Sequence, residues 1–133
     1  MRSAGVASPN GLTFAIAHGL VGWALCAATM GVGMKVTTVE TALIFHAFAA
    51  PVIFTALSLV YFRRLGSCSP LRIATVFLGV VVAMDVFVVA LLIEGNFDMF
   101  KSVLGTWLPF LLIFLSTWWT GLAVRRAADR AGA

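Results

Sequence analysis

Four long apolar stretches, each free of alternation, are separated by short polar links. Gly11 to Met34 carries no charge, and Thr41 to Phe62 carries none but contains His46. Ile73 to Ile93 contains a single formal charge, Asp85, and Ser102 to Val124 contains none. Each run reaches the ~20 residues that an α-helix needs to cross a hydrocarbon core of ~30 Å. Backbone groups in lipid must be satisfied internally, which leaves helices or closed barrels. Strands of a membrane barrel would alternate polar and apolar residues, and these runs do not. The pattern predicts an all-α polytopic membrane protein: one domain over residues 1–133, an antiparallel bundle of four transmembrane helices (spans 11–34, 41–62, 73–93 and 102–124). The first run is too long for the apolar region of a removable leader and is read as an uncleaved helix.

The links carry turn chemistry. Lys35-Val-Thr-Thr-Val-Glu40 joins spans 1 and 2, with Thr38 or Thr41 as helix cap. Gly66, Ser67, Ser69 and Pro70 make the link between spans 2 and 3 a turn. Glu94 to Lys101 is polar with two aromatics, as an interfacial segment would be. Trp107, Trp118, Trp119 and Tyr61 lie toward helix ends, where an aromatic belt is expected.

Composition agrees. Hydrophobic residues make up 62% of the chain and charged residues 11%, against about 25% charged in a soluble domain. The sequence pI of 9.8 then needs a membrane explanation. Arg2, Arg63, Arg64, Arg72, Arg125, Arg126 and Arg130 fall on one side of a four-span hairpin. Lys35 and Lys101 fall on the other, with Glu40, Glu94 and Asp98. By the positive-inside rule, both termini are cytoplasmic and Arg63, Arg64, Arg72, Arg125 and Arg126 anchor that face of a cell (inner) membrane. The basic balance reflects orientation and contact with the lipid bilayer, not nucleic acid.

Span 1 carries the clearest packing signal. Ala15, Gly19, Gly22, Cys26, Thr29 and Gly33 recur at alternating spacings of four and three and are all small. Such a seam lets helix backbones approach closely. It serves packing within the bundle, or contact with a second copy or a larger membrane complex. Pro51 and Pro109 are expected to kink spans 2 and 4. Pro51-x5-Leu57-Ser58 and Pro109-x5-Leu115-Ser116 also hint at a repeat of two helical hairpins.

Candidate chemistry centres on Asp85. A carboxylate in mid-membrane is expensive and marks a functional site by default. With each span centred on the midplane, at ~1.5 Å per residue, His18 lies ~6 Å toward the arginine side, and Asp85 and His46 lie ~3 Å and ~9 Å toward the other. The histidines are thus ~15 Å apart along the normal, which excludes a shared haem. Spans 2 and 3 are expected to be neighbours because their link is short, so His46 is the expected partner of Asp85. The order His46, Asp85, His18 suits a proton or ion relay, or a single interhelical hydrogen bond.

No metal-ligand spacing, phosphate-binding glycine loop or nucleophile elbow is present, so no metal, cofactor or catalytic residue is assigned. Three readings stay open: a small transporter or proton/ion pathway, a non-catalytic membrane subunit or scaffold packing through span 1, and a lipophilic-ligand binder or membrane enzyme.

Overall fold

The computed structural model describes residues 9–66 and 68–132. Arg2, the rest of the tail through residue 8, and Ser67 lie outside the described residues. Helix accounts for 91% of the described residues, which contain no strand, and this disposes of the barrel alternative. The helices are α1 (Pro9–Val36), α2 (Val39–Arg64), α3 (Pro70–Met84) and α4 (Leu108–Ala131). A π-helical segment, Asp85–Glu94, continues α3; a 3-10 turn, Asp98–Lys101, and a π-helical turn, Val103–Trp107, lead into α4. All four resulting spans are long and apolar enough to cross a membrane.

Local chemistry sets the ends. Thr38 caps α2, its hydroxyl accepting from the Thr41 amide at 3.3 Å, and Ser69 caps α3 through the Arg72 amide. Pro70 follows Ser69 at the start of α3, where its missing N–H costs nothing. Gly95 ends the third span with φ +70°, a left-handed conformation that glycine adopts without strain.

The helices pack in the cyclic order α1–α2–α4–α3. α1 and α4 each pack on both α2 and α3, and no comparable backbone contact joins α2 to α3 or α1 to α4. The expectation that spans 2 and 3 are neighbours is therefore corrected. Their link crosses a diagonal, because the faces that fit closest belong to other pairs. The core sits where that diagonal closes. Phe54 and Tyr61 of α2 meet Phe77 of α3 at ring-centroid distances of 5.7 and 6.3 Å, and all three are fully buried. Aromatic pairs of this kind contribute roughly 0.5–1.5 kcal/mol each beyond the area they bury. Tyr61 thus belongs to the core rather than to a belt, and its hydroxyl donates to the Gly11 carbonyl of α1 at 3.0 Å.

The small residues of α1 turn into this core. Ala15, Gly19, Gly22 and Cys26 are buried, and Thr29 and Gly33 are half-buried. A Cβ placed on Gly22 would lie 2.5 Å from Phe54 Cζ; on Gly33, 2.9 Å from Ala42 Cβ; on Gly19, 3.2 Å from Val80 Cβ. The seam is filled by α2 and α3 of the same chain.

The two prolines are accommodated differently. Pro51 lies inside continuous α2, whereas Pro109 opens α4 directly after the π-helical turn. There the Leu108 amide bonds to the Val103 carbonyl five residues back. That wider turn takes the chain past the point where the proline ring would crowd the carbonyl four residues earlier.

Candidate functional site

Asp85 stands at the junction where α3 gives way to the π-helical segment, and its amide bonds to the carbonyls of both Val81 and Val82. Its carboxylate is half-buried and accepts a hydrogen bond on Oδ1 from Trp23 Nε1 of α1, at 2.9 Å. The Trp23 indole is a donor with no acceptor of its own, and a carboxyl oxygen satisfies it. Cys26, one turn further along α1, is buried. Oδ2 makes no hydrogen bond to any described residue.

The string of three titratable groups is not joined in the structure. His46 does not bond to Asp85, and its Nδ1 is buried without a hydrogen-bond partner. This follows from the helix order: α2 lies diagonally across from α3, while α1 packs beside it. His18 is engaged on its own helix, Nδ1 to the Phe14 carbonyl at 2.7 Å, with its ring edge-on to Tyr61 at 5.8 Å. Tyr61 packs in turn on Phe77, and Phe77 on Phe54.

Trp23 is the residue that sequence reasoning missed, and a signal for it exists. Trp23 is one residue beyond the centre of span 1, within ~2 Å in depth of Asp85 by the same rise per residue. A tryptophan at mid-depth, away from any belt, needs an acceptor for its N–H.

Three hydroxyls of the arginine-side half are satisfied on their own helices. Ser58 donates to the Phe54 carbonyl, Ser116 to Ile113 and Thr120 to Ser116. Thr117 is fully buried with its hydroxyl unpartnered. Cys26 and Cys68 are not disulfide-bonded, and among the described residues no group of three His, Cys, Asp or Glu side chains is arranged to hold a metal ion.

The four long apolar helices are compatible with a multi-pass membrane protein. Comparison of the chain with protein-family models, curated proteins and solved structures finds no match.

Proposed function

We propose that the chain is a non-catalytic membrane subunit or scaffold, inserted with both termini on the cytoplasmic side of an inner membrane. In this reading Asp85 is the tie that holds α1 against α3. The observation that carries it is the Trp23–Asp85 hydrogen bond, which links two neighbouring helices and leaves both histidines apart. Insertion is supported by the four spans, and orientation by the arginines gathered at one end. Because the small-residue seam of α1 is filled from within the bundle, contacts with a partner fall on other, lipid-facing surfaces.

The test is proton and cation flux in vesicles reconstituted with the wild type and with Asp85→Asn. No flux is expected from either, with a lower unfolding midpoint for the variant. Flux that the wild type supports and Asp85→Asn abolishes would sink this reading. It would favour a second one, for which the free Oδ2 and the unpartnered His46 Nδ1 speak: a proton or cation site at Asp85.

A further inference from the structure

The arginine-bearing end of the bundle holds an open groove of about 420 Å³ between α2 and α4. Its walls are Leu59 and Arg63 from α2 and Ala123, Val124, Ala127 and Ala128 from α4. Arg63 lies one turn beyond Leu59, on the same face of α2. Arg130 follows Ala123 by seven residues and Ala127 by three, so it continues the alanine row along α4. Both arginines are exposed, and neither makes an ion pair or hydrogen bond with a described residue. Arg125 is different: it donates to the Cys68 carbonyl at 3.1 Å. Asp129 is two residues from Ala127 and is turned off the groove face.

We propose that this groove binds one anionic phospholipid of the arginine-side leaflet, its phosphate between Arg63 and Arg130 and the start of an acyl chain along Leu59 and the alanines. The inference rests on the insertion and orientation proposed above. Depth supports it. Counting from the span centres, Leu59 lies ~10 Å and Arg63 ~16 Å from the midplane, and Ala123 to Ala128 lie ~15–22 Å from it. Leu59 therefore lies inside the ~15 Å half-thickness of the hydrocarbon, while Arg63 and the alanine face of α4 lie at its edge and at headgroup level, with the Cα of Arg130 above them at ~25 Å and its long side chain able to reach back down. Small side chains leave α4 room for a chain to lie against it, and basic pockets between helices on this side suit anionic headgroups. A neutral lipid would leave the two arginines uncompensated.

The experiment uses the full chain in a zwitterionic detergent, with phosphatidylglycerol or phosphatidylcholine added and bound lipid counted by native mass spectrometry. Wild type should retain phosphatidylglycerol over phosphatidylcholine. Arg63→Gln should lower that retention about fivefold, the weight of one arginine at an anionic surface. Ala127→Phe should lower it by filling the groove, and Ala123→Leu serves the same purpose if the first variant loses its helicity. Arg72→Gln, outside the groove, should leave retention unchanged. Equal loss in Arg72→Gln and Arg63→Gln would overturn the proposal in favour of a diffuse basic belt. Full retention in both groove-filling variants, or displacement of the lipid by excess inorganic phosphate, would also overturn it. Neither outcome bears on the flux measurement, so lipid binding and the scaffold reading fail separately.

Discussion

The two halves of the bundle are built on different principles. The half nearest the arginines is regular α-helix, closed by Tyr61, Phe77 and Phe54 and tied by Tyr61 to Gly11 and by Arg125 to Cys68. The opposite half contains both π-helical segments, Asp85–Glu94 and Val103–Trp107, and the Trp23–Asp85 pair. In lipid, helices gain nothing from excluding water, so association depends on close packing and on interhelical hydrogen bonds. The arginine side combines a buried aromatic core with two hydrogen bonds from side chain to backbone, whereas the opposite side has small-residue contacts, as at Gly33 against Ala42, and the single Trp23–Asp85 bond. A packed aromatic core tolerates little change, whereas a single polar tie contributes modestly. The widened backbone also begins at Asp85, and π-helical turns recur where a helix positions a functional side chain.

Several substitutions would break or sharpen this contrast, each read as the unfolding midpoint and free energy in mixed-micelle titrations. The largest effect is expected from Phe77→Ala, which opens the contact of α3 with both Phe54 and Tyr61. A loss of ~3–5 kcal/mol is expected, and a loss below that of Trp23→Phe would invert the comparison. Gly22→Ala comes next, since its new Cβ would meet the immobilised Phe54 ring at 2.5 Å. About 1–3 kcal/mol of overpacking is expected, and an unchanged midpoint would mean that the core yields. Trp23→Phe removes the N–H together with the five-membered ring of the indole, so it tests the polar tie along with a small loss of packing. Interhelical hydrogen bonds in membranes contribute about 0.6 kcal/mol on average, and an effect of that order is expected here. A cost several times larger would place the opposite half on the same footing as the aromatic core. The smallest effect has the opposite sign. A Cβ on Gly31, on the outer side of α1, would meet nothing within 4 Å, so Gly31→Ala should stabilise by up to ~1 kcal/mol through helix propensity. Destabilisation there would show that the outer face of α1 is covered.

The seam of α1 and the Asp85 site differ in how far the chain alone discloses them. The spacing of Ala15, Gly19, Gly22, Cys26, Thr29 and Gly33 marks one face of one helix, and the structure buries that face or its edge throughout. Periodicity within a helix depends only on local geometry, so it is legible. The partner of Asp85 is not local. Depth arithmetic narrows it to groups near the midplane, among them Trp23, but depth cannot tell which helix stands beside α3. A short link between spans 2 and 3 suggested α2, and the bundle instead closes with α2 and α3 on a diagonal. Pro109 gives the same lesson on a smaller scale. Its resemblance in pattern to Pro51 is real in the sequence, but one proline lies within a helix and the other opens one after a wide turn.

By itself, then, the order of residues determined four apolar helices, their links and caps, the concentration of arginine at one end and the small face of α1. These follow from helix rise, hydropathy and capping chemistry, all properties of contiguous residues. Only the tertiary structure decided the cyclic order of the helices, the pairing of Trp23 with Asp85, the isolation of His18 and His46 and the groove between α2 and α4. Those depend on which side chains interdigitate across helix interfaces. Interdigitation is a property of pairs of surfaces, and no single span contains it.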